Sequence, residues 1–296
     1  MGSQGSEDSA GAQSLASARE REVDLDGLRI ALLEWGPENG PPVLCLHGWL
    51  DNAASFAPLA PHLADLRLVA PDLPGHGHSD HRPAGSSYHT LEWVGDVLRL
   101  ADALEIETFA LLGHSMGAGI AAMVAGAAPS RVARLVLVEG IGPHAAVPAE
   151  VPDRVAAWLA EEREARRFGD RRRPAAFDTA VRARVVNRPI ERASAELLAL
   201  RGTTAFEDGV LWRHDKALQR ARPSALEEES VRAFLRRITA PTLLLTAGAG
   251  DQWLGDIATE RAACIPDRRE VRVDGNHHVH MDSPERVAEH IAAFLR

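Results

Sequence analysis

Gly113-His114-Ser115-Met116-Gly117 is a G-x-S-x-G pentapeptide between a short apolar run and an Ala/Gly-rich helical stretch. In a strand–turn–helix setting the two glycines remove Cβ atoms where the backbones crowd, and the serine Oγ is left exposed above a sheet. The helix start beneath it offers unpaired N–H groups and a positive dipole to a developing oxyanion, which makes the Met116 N–H a candidate donor. Acyl transfer by a serine needs a second donor, usually from the loop after an earlier strand. Leu46-His47-Gly48-Trp49-Leu50-Asp51-Asn52 is such a loop and presents the Trp49 N–H. His47 is read as a hydrogen-bonding residue that shapes this loop, not as a base.

The serine needs a neutral imidazole to take its proton and a buried carboxylate to orient that imidazole. In the chain order serine, acid, histidine, the base belongs after the last strand, where His277, His278 and His280 cluster. Asp251, in Gly248-Ala249-Gly250-Asp251, is the preferred acid because it lies between serine and histidine in a Gly-rich loop after a strand. Glu139, at the end of the run 135–138, is the alternative, and Asp256 is a third. The 13 histidines also invite a metal reading. Neither the 277–280 cluster nor His76, His78 and His81 follows H-E-x-x-H or C-x-x-C spacing, so no metal is expected.

Residues 21–26 and 28–35 read as a hairpin turning at Asp26-Gly27. The runs 43–46, 68–70, 109–112 and 135–138 read as strands buried on both faces. Helical patterns lie between them at 56–64, 91–104 and 116–127, a doubly wound α/β arrangement with right-handed crossovers. From 144 to 237 the sequence turns charged and helical. Strand signals return at 242–246 and 271–273, before a final helix that starts at Ser283-Pro284. The expected organisation is a disordered Ser/Gly-rich leader at 1–18, a core from 19–143 and 238–296, and a helical insertion at 144–237.

Composition narrows the function. The 296 residues carry a formal charge of −9, which argues against a nucleic-acid binder and gives no reason to sit on an anionic membrane. Lys216 is the only lysine among 33 basic residues, and no Walker-type loop occurs, so P-loop and Schiff-base cofactor chemistry are set aside. Two cysteines, Cys45 and Cys264, make no disulfide framework, and a cytoplasmic location is expected. Gly2 and Ser6 fit a myristoylation pattern, read as chance in a permissive leader.

Together these residues resemble the α/β-hydrolase superfamily from about residue 21 to 296. Pro71-Asp72-Leu73-Pro74-Gly75-His76-Gly77-His78-Ser79-Asp80 looks like its D-x-P-G-x-G-x-S loop. His277-x-x-His280 followed by Pro284-Glu285 resembles the family's G-H-x-x-H-x-x-x-P-E ending, which implies His277 as the base. The segments 47–53, 201–204 and 275–281 are similar to the serine hydrolase-like proteins, a subfamily whose name fixes no substrate. A serine at the elbow disfavours the dehalogenase and epoxide hydrolase chemistries of the superfamily, which use aspartate there. The resemblance implies that 144–237 is a helical cap over the site. Trp158, Phe177, Phe206 and Trp212 are then candidate pocket walls. Trp212-Arg213-His214-Asp215 reads as a solvated or salt-bridged helix end, and Arg171-Arg172-Arg173 as an exposed basic turn.

The expected function is a cofactor-free serine hydrolase cleaving a small or medium carboxylic ester. An enzyme with the same residues opening a C–C bond, lactone or thioester is a second reading. A non-catalytic protein that binds a small molecule in the capped pocket is the third. The full set of serine, acid and histidine candidates argues against that last one.

Overall fold

The computed structural model describes residues 4–169, 172–187, 189–222, 225–248 and 255–296. Among the described residues ten strands form in chain order: β1 Arg19–Asp24, β2 Arg29–Trp35, β3 Pro42–Leu46, β4 Arg67–Pro71, β5 Phe109–His114, β6 Val132–Val138, β7 Thr203–Phe206, β8 Gly209–Trp212, β9 Thr242–Ala247 and β10 Arg268–Val273. Eight of them build one sheet in the order β1-β2-β4-β3-β5-β6-β9-β10. β1 and β2 are the antiparallel hairpin, joined antiparallel to β4, and the pairs from β4 through β10 are parallel. The apolar runs become central strands because both of their faces are covered.

One face carries α2 Thr90–Ala103, α3 Met116–Ala127 and α7 Glu228–Arg236, whose Val231 and Leu235 join the same apolar cluster as α3. α8 Asp256–Ala262 contributes Ala262 to that side. The other face packs against α10 Pro284–Leu295 through Val287 and Ile291, and against short 3-10 turns at Ala53–Phe56 and Ala60–Leu63. One continuous helix was expected at 56–64. Pro58 and Pro61 each lack an N–H and crowd the preceding turn, which divides the segment into two tight turns.

β3 and β5 are neighbours, while β4 lies on β3's other side. The chain therefore winds away from the β3/β5 junction in both directions, and the loops after these strands part to leave a crevice at their carboxyl ends. That crevice holds the loop of Trp49 and the turn of Ser115.

The insertion contains α4 Val151–Phe168, α5 Phe177–Asn187 and α6 Arg192–Gly202. It is not purely helical as expected, because β7 and β8 form a small antiparallel hairpin of their own. Thr, Phe, Val and Trp in these short segments favour strand, and Glu207 at φ 51° makes the turn between them. The N-terminal segment also departs from the expected disordered leader: α1 spans Gln4–Ser17. Its later half is held by the indole of Trp35, which donates to the Ser14 carbonyl at 2.9 Å, and Leu15 packs on both the core and the insertion. Gly2 lies outside the described residues. Among the described residues no helix is long and apolar enough to cross a membrane.

Candidate active site

Ser115 sits at the end of β5 and before α3 with φ 52° and ψ −115°, a conformation that a residue with a Cβ adopts only at a cost. Its N–H donates to the Val138 carbonyl at 2.9 Å, and its carbonyl accepts from Gly119 at 3.1 Å. The flanking glycines are explained by contact. A Cβ on Gly117 would lie 1.9 Å from the Leu46 carbonyl oxygen, and one on Gly113 would lie 2.5 Å from that of Gly117. The G-x-S-x-G spacing is thus what lets β5, α3 and β3 meet under a half-buried serine.

His277 follows β10 and is buried beside Glu139, with its Nδ1 3.2 Å from Glu139 Oε2. Glu139 directly follows β6 and takes φ 53°. Its N–H donates to the Leu245 carbonyl at 2.9 Å, and its Oε1 accepts the Ala247 N–H at 2.5 Å. Two bonds therefore aim this carboxylate at the imidazole. With Nδ1–H donating to the carboxylate, His277 keeps Nε2 as a proton acceptor. Asp251 lies outside the described residues, and so does the side chain of Asp256. Among the described residues the carboxylate that meets His277 is Glu139, the residue the sequence ranked second.

The loop after β3 makes a turn closed by Asp51 N–H to the Gly48 carbonyl at 3.1 Å, with Leu50 at φ 60°. Trp49 stands at its corner, and no acceptor among the described residues takes the Trp49 or Met116 N–H. His47 is buried and fully used: its Nδ1–H donates to the Gly48 carbonyl at 2.8 Å, and its Nε2 accepts Leu73 N–H at 3.0 Å. That matches the loop-shaping role expected of it. Burial pushes its pKa down, which suits the neutral tautomer these two bonds require.

Sequence reasoning passed over a buried junction beneath these pieces. His114, the residue before the serine, has Nε2 2.8 Å from the carbonyl of His277. Its Nδ1 is 3.7 Å from Asp51 Oδ2, and His278 Nε2 is 3.3 Å from that same oxygen. Arg184, from α5, bonds Asp51 Oδ1 and donates to the Leu50 carbonyl at 2.7 Å. Asp51 is held well below the usual carboxylate range: burial works against this, but His278 and Arg184 overcome it. Burial drives His114 down to about 3, so it is neutral near pH 7. Nucleophile turn, base loop, oxyanion loop and insertion are joined through one carboxylate. The alternation of charge along 51, 114, 184 and 278 leaves no local pattern, so no sequence signal could have found it.

Asp51, His114 and His278 are also the one group among the described residues with ligand atoms close enough for a metal, all within 4.8 Å of one another. The guanidinium of Arg184 on the same carboxylate opposes a dication there, and the His278 contact is already a hydrogen bond. The trio reads as a hydrogen-bonded junction.

The insertion docks on this platform at points the sequence had marked without explanation. Arg201, at the end of α6, forms a buried pair with Asp72, Nε to Oδ2 2.9 Å, while Asp72 also accepts the Ala53 and His78 N–H groups. Asn52 donates to the Leu198 carbonyl at 2.8 Å. Trp212-Arg213-His214-Asp215 is not a solvated helix end. It leaves β8 and clips the insertion to the core: Asp215 N–H donates to the Gly75 carbonyl at 2.8 Å, and Tyr88 donates to Asp215 at 2.8 Å. Arg172 is likewise no free surface charge, since its Nη1 donates to the Trp212 and His214 carbonyls at 2.8 and 2.6 Å; Arg171 lies outside the described residues. Of the expected pocket walls, Trp212 lines a cavity of about 620 Å³ beside Trp49, Phe177 packs within the insertion, and Phe206 is exposed. Trp158 is half-buried.

A family model described as alpha/beta hydrolase fold matches residues 41–284. A serine hydrolase-like protein of Danio rerio is 32% identical over 287 residues, covering 88% of this chain and 83% of its own length. Serine hydrolase-like protein 2 of Homo sapiens is 32% identical over 286 residues, covering 90% of each. Among solved structures, a hypothetical protein from Pseudomonas aeruginosa superposes with TM-score 0.87 at 37% identity, covering 93% of this chain and 99% of that one. The thioesterase domain from the curacin biosynthetic pathway superposes with TM-score 0.80 at 26% identity, covering 93% and 99%.

Proposed function

The chain belongs to the α/β-hydrolase family, among the serine hydrolase-like proteins, and from that premise we propose that it cleaves a carboxylic ester through an acyl-enzyme on Ser115. The observation that carries the reading is the His277–Glu139 contact at the carboxyl ends of the sheet strands, where the strained Ser115 turn also lies. Ser115 Oγ attacks the ester carbonyl and its proton passes to His277 Nε2. Glu139 holds the tautomer and stabilises the imidazolium. The oxyanion is received by the N–H groups of Trp49 and Met116. Collapse expels the alcohol, which takes the proton back from His277. Water, activated by the same imidazole, then frees the acid and restores Ser115. No step calls on a metal or cofactor.

The same atoms would open a thioester, and the likeness to a thioesterase domain makes that the second reading. A fluorophosphonate probe with a panel of p-nitrophenyl esters and thioesters tests both. The native protein should be labelled and should turn over the panel, and Ser115→Ala should lose both while keeping its fold, since only one hydroxyl leaves. Labelling that survives in Ser115→Ala would move the nucleophile elsewhere, and a thioester preferred over its oxygen ester would select the second reading.

A further inference from the structure

The Trp49 N–H, the oxyanion donor proposed above, belongs to the same peptide unit as the Gly48 carbonyl, and that unit is trans and planar. Its N–H and C=O point in opposite directions, so whatever holds the carbonyl also aims the amide. Two groups hold it: His47 Nδ1–H at 2.8 Å and the Asp51 N–H at 3.1 Å. The first comes from the adjacent residue. The second lasts only while the turn from Gly48 to Asp51 stays closed. Leu50 is the weak point of that turn, because its φ of 60° lies where glycine is at ease and leucine is not.

The group that steadies this turn comes from the insertion. Arg184, on α5, donates from Nη1 to the Leu50 carbonyl at 2.7 Å and pairs through Nη2 with Asp51 Oδ1. The Leu50 carbonyl and the Asp51 N–H are the two ends of one peptide unit. The guanidinium therefore grips the unit whose N–H holds Gly48, and its planar fork reaches carbonyl and carboxylate at once. Asp51 is braced from behind as well, with Oδ2 3.3 Å from His278 Nε2. A Cβ on Gly48 would come within 2.7 Å of that oxygen, so the glycine is what lets the carboxylate tuck beneath the loop. Only 15% of the Arg184 side chain is exposed, which commits it to the loop and not to solvent.

We propose that Arg184 is a positioning residue: by clamping the Leu50–Asp51 peptide it aims the Trp49 N–H at the developing oxyanion, so the site is competent only while the insertion is docked. The inference rests on the reading of Ser115 as nucleophile and Trp49 as oxyanion donor. It adds that a residue outside the core controls the donor.

The test compares p-nitrophenyl butyrate with its thiono analogue, in which sulfur replaces the carbonyl oxygen. Sulfur accepts hydrogen bonds weakly, so the ratio of the two kcat/KM values reads the oxyanion donors and not substrate binding or folding. The native protein should favour the oxygen ester. Loss of a whole donor costs about 10²–10³ in kcat, so loosening one of the two holders of Gly48 in Arg184→Met should cost the oxygen ester roughly tenfold. That loss should fall on kcat with KM near native, and the thionoester should lose much less, so the ratio drops. Arg184→Gln, too short to bridge Leu50 and Asp51 together, reads the same way if the methionine variant folds poorly. An unchanged ratio in a folded variant, whether both esters slow equally or neither slows, overturns the proposal. A native ratio near one overturns it without any variant. A native protein that takes no fluorophosphonate at Ser115 instead overturns the reading beneath it.

Discussion

At the scale of single residues, the described carboxylate that meets His277 is the one the sequence ranked second, while the preferred Asp251 lies outside the described residues. Asp251 was favoured by loop composition and chain order, and both signals are blind to which carboxylate meets the imidazole. Glu139 is marked by contacts only folding reveals: a left-handed backbone, the Leu245 and Ala247 pairings and the 3.2 Å approach to His277. Gly140 shows how tight the setting is, since a Cβ there would come within 2.5 Å of the Ser115 carbonyl oxygen. Glu139→Gln keeps the shape but cannot stabilise an imidazolium, so kcat should fall by about 10⁴. Asp251→Asn should leave kcat near the native value. Steady-state kinetics of the two variants decides, and the opposite pattern would return the role to Asp251. Ser115 was legible because the G-x-S-x-G glycines are dictated by contacts that recur wherever a strand turns this sharply into a helix. His114 and Asp51 were not legible, because their roles depend on neighbours far along the chain.

At the scale of elements, the strands were readable because burial on both faces writes uninterrupted apolar runs into the sequence. β3, β5 and β9 contain the runs expected of them with their ends moved by a residue or two. β6 begins three residues earlier than its run, where Arg134 interrupts the apolar pattern between the buried Val132 and Leu135. The hairpin of β7 and β8 was missed because four-residue strands hardly differ from loops in composition, and their pairing is what makes them strands. The insertion's anchors were half visible. Arg201-Gly202-Thr203-Thr204 stood out by resemblance, and the structure gives its physics: a buried guanidinium on Asp72, and a glycine where a Cβ would come 3.1 Å from both Asn52 and Trp212. Breaking such a pair would leave an uncompensated buried charge, so this contact fixes α6 against the loop after β4.

At the scale of the molecule, the fold buries several histidines in the neutral form. His114 is driven down to about 3 and His214 to about 4, and His47, His76 and His280 are lowered as well, with burial the largest cause in each. Unfolding frees all five to bind protons near their ordinary value of 6.5. The unfolded chain therefore holds more protons than the native one below that value, and stability rises with pH across the window. Their contribution is complete above about 6.5 and is lost as pH falls towards the folded values. Urea unfolding followed from about pH 7 to about pH 5 should show a falling midpoint, with the unfolding free energy dropping by up to about 1.4 kcal/mol per pH unit for each proton taken up. A midpoint unchanged over that range would mean that these imidazoles are not buried neutral.

The proposed function requires a covalent intermediate on Ser115, which would give the strained turn, the oriented imidazole and the Trp49 and Met116 amides a common purpose. The most direct measurement mixes the protein with p-nitrophenyl butyrate, quenches in acid during turnover and maps the digest by mass spectrometry. The account predicts a butyryl adduct on the peptide that carries Ser115, absent from Ser115→Ala. Turnover with no adduct, or an adduct confined to another residue, would contradict it.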